Sequence, residues 1–140
     1  MQHIYRVVQS KHKAKKIYDI VNDTESYEQF IPFCKKSEVE KWFGHERKRC
    51  LLVFSHLGIT CQLVTINTLR DGQRIDIALD EGPFSMLKGH WVFEDNDDGC
   101  QVTIDFQYTF ENYVLEVMFD RVFRQISEGM VDLFCERADG

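Results

Sequence analysis

Residues 100–110 are CQVTIDFQYTF, a stretch in which apolar and polar side chains alternate without a break. Alternation with a period of two is typical of a strand with one buried and one solvated face, as in antiparallel sheets. Directly after it, residues 111–136 change to helical spacing. A helix of this length measures about 39 Å, so we expect it to cross the whole sheet. Its apolar positions are three or four residues apart: Leu115, Phe119, Val122, Ile126, Met130 and Leu133.

The preceding part of the chain supplies the rest of the sheet. Residues 36–110 keep the period of two, and Asp71-Gly72 is their strongest hairpin signal because both residues tolerate positive φ. Ahead of them come a β-prone segment at 3–9, a helical pattern over 11–23 and a shorter helix that Pro32 ends. The predicted fold class is α+β, with a curved antiparallel sheet of about seven strands wrapped around the long C-terminal helix.

Length and composition indicate one folded domain, residues 1–140. The chain is 44% hydrophobic and 13% aromatic, which excludes a disordered chain because such chains lack apolar surface to bury. Its 17 basic and 23 acidic residues give a net charge of −6, so a uniformly basic nucleic-acid binder is excluded and no DNA partner is expected. No apolar run approaches the roughly 20 residues of a membrane span. We expect a cytoplasmic protein whose five cysteines are reduced, small core residues.

Basic residues are concentrated in the first part of the chain. Residues 1–50 hold 11 Lys or Arg against 7 Asp or Glu, whereas residues 51–140 hold 6 against 16. If the basic residues lie on one face, they form a surface for phosphate, either of lipid headgroups at the inner face of a membrane or of RNA. The alternative is an ordinary solvated surface with acidic partners nearby. The candidate membrane or ribosome contacts are Lys11, Lys13, Lys15, Lys16, Lys35 and Lys36, with Arg47, Lys48 and Arg49 beside them.

Catalytic and metal-binding motifs are weak. The five histidines are scattered, and neither a GxSxG motif nor a glycine-rich phosphate loop occurs. His56 and Cys61 flank a turn and could form a nucleophilic pair, although ordinary sheet residues are the simpler alternative. Residues 94–105 approximate a calcium loop, but a polar hairpin at Asp97-Asp98-Gly99 explains them fully. We therefore predict no catalytic residues, no metal site and no required cofactor.

Large aromatic side chains fall on the predicted apolar faces. They can form a plain core, or they can line a pocket for a flat or isoprenoid ligand, since such sites are mostly apolar with few polar groups. A curved sheet that pulls away from a straight helix leaves room for such a pocket. The aromatic residues concerned are Phe54, Phe84, Trp91, Phe93, Phe106, Tyr108, Phe119 and Phe123.

Three segments resemble signatures of one START-like family. They are Gly82-Pro83-Phe84-x-x-Leu87-x-Gly89-x-Trp91-x-Phe93, Tyr27-x-x-Phe30-Ile31-Pro32-x-Cys34 and Phe110-x-Asn112-x-x-Leu115-Glu116-x-x-Phe119-x-x-Val122-Phe123. Over nearly its whole length the chain resembles the coenzyme Q-binding START-domain proteins and the RatA ribosome-association toxins, which are also labelled oligoketide cyclase/dehydrase-like within the SRPBCC superfamily. The resemblance implies the helix-grip fold. The chain departs from the family pattern at Glu28, where Pro is usual, and at Ile66, where an Arg is expected.

The resemblance implies three alternative functions. The leading hypothesis is binding of ubiquinone or another polyprenyl quinone between sheet and helix, in support of respiration. The second is RatA-like binding to the large ribosomal subunit, which blocks subunit association, and the third is a cyclase-like enzyme. For the first, we expect Tyr108 to donate a hydrogen bond to a quinone carbonyl. The predicted cavity-lining residues are Phe54, Leu63, Leu79, Phe84, Leu87, Trp91, Phe93, Phe106, Tyr108, Met118, Val122 and Ile126.

Overall fold

The computed structural model describes all residues, 1–140. Its strands are β1 Gln2–Ser10, β2 Cys34–Trp42, β3 Arg47–His56, β4 Ile59–Arg70, β5 Arg74–Glu81, β6 Phe84–Asn96 and β7 Gly99–Phe110. Its helices are α1 Ala14–Asn22, the 3₁₀ helix Thr24–Gln29 and α2 Tyr113–Asp139. None of the helices is both long and apolar enough to cross a membrane.

All seven strands join in one antiparallel sheet, in the order β1-β7-β6-β5-β4-β3-β2. Strands β2 to β7 follow one another as hairpins, so only β1 lies beside a strand that is distant in sequence. β1 pairs with β7 from Gln2 opposite Tyr108 to Ser10 opposite Cys100. The predicted α+β class, with a curved sheet around the C-terminal helix, is confirmed.

The ends of both α-helices differ from the sequence prediction, most of all at the start of α1 and the end of α2. α1 begins at Ala14 rather than at residue 11, because Lys13 has an extended backbone with φ −69° and ψ 152°. The Ala14 N–H instead donates to Asp95 Oδ1 at 2.8 Å, which ties the start of α1 to β6. α2 continues to Asp139 rather than to residue 136, and its last turn buries Ala138 in the core.

α2 closes the core by packing against α1, β1 and β7. Its buried Phe134 lies between Trp91 of β6 and Tyr27 of the 3₁₀ helix, with 5.4 and 5.3 Å between ring centroids. The helix starts at Asn112, whose side chain accepts a hydrogen bond from the Leu115 N–H at 2.9 Å, a typical N-cap. The second half of α2 is therefore fixed in the core, whereas its first two turns are largely exposed.

The sheet has two ends that differ in composition, and we name each by one residue. The Leu57 end holds the β3–β4 turn, the β5–β6 turn at Gly82-Pro83 and the start of α2. The Lys13 end holds the β2–β3 turn, the Asp71-Gly72 turn and the segment between β1 and α1. Because α2 runs the length of the sheet, it begins at the Leu57 end and finishes at the Lys13 end.

Candidate ligand-binding cavity

A cavity of about 110 Å³ lies between the concave face of the sheet and α2. Of the 22 residues that line it, 17 are hydrophobic. Strands β3, β4, β6 and β7 supply most of its floor, and α2 supplies its roof through residues such as Phe119 and Met130. Apolar cavities of this kind stay dry and take apolar molecules, and one of roughly 150 Å³ binds benzene.

Eight of the residues predicted to line a cavity are in its wall. They come from β3, β4, β6, β7 and α2, so elements distant in sequence converge on one volume. These residues are Phe54, Leu63, Phe84, Leu87, Trp91, Phe106, Val122 and Ile126. Their contact with a ligand stays a prediction.

Three predicted residues lie outside the wall for reasons of packing. Leu79 packs beneath Gly82, where a Cβ would lie 3.2 Å from Leu79 Cδ1. Phe93 lies farther along β6 and packs edge-on against Tyr18 of α1, with 5.5 Å between ring centroids. Met118 is in the second turn of α2 and is exposed, whereas the adjacent Phe119 packs against the core.

Tyr108 also lies outside the wall, and its hydroxyl is already occupied. The side chain is fully buried, and Oη donates to Asp120 Oδ1 of α2 at 2.8 Å. Its ring packs on Phe84 and Phe123, with 5.8 and 4.7 Å between centroids. Burial and then the hydrogen bond to the Asp120 carboxylate raise the pKa of Tyr108. Contrary to the prediction, this hydroxyl is not free for a quinone carbonyl, because it joins the sheet to the helix.

Gly89 allows the aromatic part of the wall to form. A Cβ on Gly89 would lie 2.1 Å from Phe106 Cδ1 and 2.3 Å from the Asp105 backbone oxygen, both far inside contact distance. The Phe106 ring therefore takes the space above the glycine and meets Trp91 in an edge-on arrangement, with 6.2 Å between centroids. The glycine of the first signature segment thus has a packing role in the cavity floor.

Polar side chains enter the wall from β4 and α2, and the sequence analysis missed them. Thr65 Oγ1 donates to Asn67 Oδ1 at 2.8 Å, which leaves the Asn67 amide nitrogen able to donate to a ligand. Ser127 of α2 also lines the cavity and is buried. The alternation that selected Leu63 continues through Thr65 and Asn67 on the same face of β4, and that signal could have identified both.

No side chain of the wall carries a charge near neutral pH. The ionisable groups there are Tyr27, Cys50 and Cys61, and burial raises the pKa of each. The Tyr27 hydroxyl donates to the Val21 backbone oxygen, and Thr24 Oγ1 lies 3.7 Å from Cys50 Sγ. The cavity therefore offers an apolar environment with a few neutral hydrogen-bonding groups.

The two weak motifs of the sequence do not assemble into sites. Cys61 faces the cavity, whereas the His56 ring packs on Phe33 with 4.4 Å between centroids. The acidic segment forms the β6–β7 turn, where the Asp98 N–H donates to Asn96 Oδ1 at 3.2 Å. No group of three or more His, Cys, Asp or Glu side chains is arranged to hold a metal ion.

The basic residues do not form one face. Residues 11–16 lie at the Lys13 end, whereas Lys35 and Lys36 begin β2 at the Leu57 end. Lys15 Nζ contacts Asp19 Oδ1 and Asp71 Oδ1 at 2.8 and 2.6 Å. Acidic partners also lie 3.6 Å from both Lys11 and Lys36. Lys13, Lys16 and Lys35 are exposed and have no ion pair.

The three basic residues of Arg47–Arg49 are also not available together for binding phosphate. Lys48 is buried, its Nζ donates to the Asn22 backbone oxygen at 2.6 Å, and burial lowers the pKa of this lysine. Arg49 is held by three carboxylates on β2 and β5. Only Arg47 stays available, with its guanidinium 5.1 Å from the Phe43 ring centroid.

A curved antiparallel sheet around a long C-terminal helix defines a START-like helix-grip protein. Two solved structures share this fold. The Zhui aromatase/cyclase from a Streptomyces species has a TM-score of 0.85 at 15% identity, covering 99% of this chain and 93% of that one. The STAR-related lipid transfer protein from Xanthomonas axonopodis has a TM-score of 0.73 at 16% identity, covering 99% and 86%.

The chain belongs to the family described as polyketide cyclase/dehydrase and lipid transport, which matches residues 10–135. The persistence and stress-resistance toxin PasT of Escherichia coli is 33% identical over 139 residues, covering 99% of this chain and 87% of the relative. The ribosome association toxin RatA of Pseudomonas aeruginosa is 30% identical over 137 residues, covering 97% and 94%. The mitochondrial coenzyme Q-binding protein coq10 of Schizosaccharomyces pombe is 28% identical over 110 residues, covering 71% and 63%. The resemblance drawn from the three signature segments is confirmed.

Proposed function

We propose that this chain binds an amphipathic lipid in the cavity beneath α2, with ubiquinone or another polyprenyl quinone as the leading candidate. The observation that carries the proposal is the wall itself, which is apolar over most of its area and uncharged throughout. A quinone matches this composition, because its carbonyls accept hydrogen bonds and its tail has no polar atom. The name of the fission-yeast relative, a coenzyme Q-binding protein, supports the same ligand class.

Three of the aromatic residues of the wall lie nearer the Leu57 end than the Asn67 amide does, which favours one orientation of the ligand. Asn67 lies opposite Ile77 in the middle of the sheet. Phe54, Phe84 and Phe110 lie at strand termini near the Leu57 end. We therefore orient the quinone ring toward Asn67, whose amide donates to a carbonyl, and the tail toward the Leu57 end.

The volume of about 110 Å³ is smaller than the roughly 150 Å³ of a cavity that takes benzene, so the cavity must widen to hold a quinone ring and its tail. Entry of the tail requires side chains to move, and the half-buried Phe119 and Met130 of α2 are the candidates. Each methylene of the tail that leaves water contributes about 0.8 kcal/mol before the costs of binding. The affinity of the complex is thus expected to rise with tail length.

Titration of a single-tryptophan protein with a short-chain ubiquinone tests the proposal. Trp91 is in the wall and Trp42 is exposed at the Lys13 end, so Trp42→Phe leaves Trp91 as the sole reporter. We expect saturable quenching that Val122→Phe weakens by filling the cavity. Met118→Phe, one turn earlier on α2 and outside the wall, is the matched control. Absence of quenching, or equal loss in both variants, would contradict the proposal.

As a second candidate we propose association with the ribosome, as the names of the RatA relatives state for those proteins. The supporting observation is the β2–β3 turn, where Trp42 and Phe43 are exposed. The Lys41 Nζ and the Arg47 guanidinium each lie 5.1 Å from the Phe43 ring centroid. Exposed aromatic rings among cations suit unpaired RNA, because bases stack on the rings and phosphates meet the charges. Co-sedimentation with large ribosomal subunits tests this candidate.

A further inference from the structure

Apolar side chains are exposed together at the Leu57 end. Leu57 is 87% exposed, Tyr113 is 76% exposed, and Val114 and Val117 are each 64% exposed. They come from the β3–β4 turn and the first two turns of α2, which both lie at this end of the sheet. We define the apolar rim as Leu57, Ile59, Tyr113, Val114, Val117 and Met118. Exposed apolar patches of this kind mark contact with a membrane or a partner.

The apolar rim continues into the cavity wall. Ile59 precedes Cys61 by two residues on β4, and Met118 directly precedes Phe119 on α2. Both Cys61 and Phe119 line the cavity. Because α2 packs chiefly on α1, β1 and β7, the gap between α2 and the β3–β4 hairpin is the route from the cavity to the rim.

Leu57 is held in an unfavourable backbone conformation. Its φ is 51°, and Gly58 after it has φ 78°. Two-residue hairpin turns with positive φ at both positions favour Asn or Asp before Gly, because a residue such as leucine is strained there. A strained leucine whose side chain is almost wholly in solvent contributes nothing to the core, so it points to a role outside the folded chain.

Charges of both signs border the apolar rim. Glu111 and Glu116 lie at the start of α2, Arg121 follows one turn later, and Lys35 begins β2 at the same end. Zwitterionic headgroups carry a phosphate and an amine together and so match a mixed border. For an anionic surface, repulsion by the two glutamates would offset attraction to Lys35 and Arg121. The lysines of residues 11–16, which would attract such a surface, lie at the opposite end.

We infer that the apolar rim inserts into the surface of a bilayer of zwitterionic lipids, and that the lipid tail enters between α2 and the β3–β4 hairpin. The tail route rests on the proposed lipid-binding function, whereas docking depends on the rim alone. The membrane-facing surface is then the Leu57 end, and the lysines of residues 11–16 face away from the bilayer.

Flotation with phosphatidylcholine vesicles tests the inference. Leu57→Asn relieves the strained turn and removes the exposed side chain, so the variant is expected to be at least as stable as the parent and to bind vesicles roughly tenfold more weakly. Val117→Asn should weaken binding similarly. The double variant Lys13→Glu and Lys16→Glu is the control and should bind as the parent does, with or without added phosphatidylglycerol.

Three results of the flotation experiment would overturn docking through the rim. They are a parent protein that does not float, undiminished binding of Leu57→Asn, or binding that requires phosphatidylglycerol and is lost in the lysine variant. A change of oligomeric state in Leu57→Asn, measured by sedimentation, would assign the rim to a second copy of the chain and overturn it too. Titration with a soluble short-chain quinone distinguishes lipid binding in the cavity from docking through the rim. Variants of the apolar rim should keep the parent's affinity for the soluble quinone even where they no longer bind vesicles.

Discussion

Tyr108 Oη donates a hydrogen bond to Asp120 Oδ1 across 2.8 Å, and this contact joins β7 to α2 beside the cavity. The tyrosine is fully buried, while the aspartate retains partial access to solvent. The bond lies between the fixed second half of α2 and the exposed first turns that carry the apolar rim. The bond therefore fixes the distance between α2 and β7 at the point where the cavity approaches the apolar rim.

Tyr108→Phe should lower the free energy of unfolding by about 1.5 kcal/mol, since one hydrogen bond to a charged group is lost without a change of volume. Urea denaturation measures the change. Asp120→Asn keeps an oxygen acceptor at the same position and should cost less. An unchanged stability of Tyr108→Phe would show that the contact does not hold α2 on the sheet.

Gly89→Ala should lower the free energy of unfolding by roughly 3 kcal/mol or prevent folding, because the added Cβ meets both a ring and a backbone oxygen. Gly129→Ala is the matched control. No atom lies within 4 Å of a Cβ at Gly129, so in the helix interior this change should stabilise by about 1 kcal/mol. Thermal unfolding of the two variants compares them, and equal stability would contradict the packing described for Phe106.

Stability should fall as the pH rises from 9 to 11, because burial raises the pKa of the Cys34 and Cys100 thiols from 9.0 to about 11. In this window the folded chain keeps protons that the unfolded chain has released, so rising pH favours unfolding. The buried Cys100 should contribute roughly 2 kcal/mol to the loss. Urea denaturation at both pH values measures it, and Cys100→Ala should show a smaller loss. If Cys100→Ala lost as much stability between pH 9 and pH 11 as the parent does, the raised pKa of Cys100 would not be the cause of the loss.

Ribosome association should depend on the β2–β3 turn. Lys41→Glu with Arg47→Glu should release the protein from large subunits, and raising the salt concentration should weaken binding of the parent steeply. Lys88→Glu with Arg121→Glu, at exposed positions of β6 and α2, changes the net charge by the same amount and is the control. Sedimentation in sucrose gradients measures binding. If the variant carrying Lys41→Glu and Arg47→Glu bound large subunits as well as the control does, the β2–β3 turn would be excluded as the contact surface.

The sheet and the long helix could be predicted because each depends on a local period. Residues 100–110 alternate strictly, and the structure buries every second residue from Cys100 to Phe110. Alternation shows on which face of a strand a side chain lies, but not whether that side chain lines a cavity. It therefore could not distinguish Phe106, which lines the cavity, from Tyr108, which bonds to α2. Helical spacing alone placed α2 correctly here, because Leu115 and Phe119 pack against the core while Met118, which is off that spacing, is exposed.

The surface was harder to predict because it depends on contacts between distant segments. Lys48 is in a basic run, yet the end of α1 folds over it and its Nζ bonds to Asn22. Thr65 and Asn67 were not predicted because alternation does not show whether a polar side chain on the inner face meets a cavity. The split of the lysines between two ends follows from the direction of β2, which the sequence does not reveal until its pairing with β3 is known.

Mass spectrometry of an organic extract of the gently purified protein is the most direct test of lipid binding in the cavity. We expect a near-stoichiometric polyprenyl quinone or similar lipid in the parent protein and its loss from Val122→Phe, in which the cavity is filled. An empty extract, together with no uptake of quinone on titration, would contradict the claim that the cavity is a lipid site.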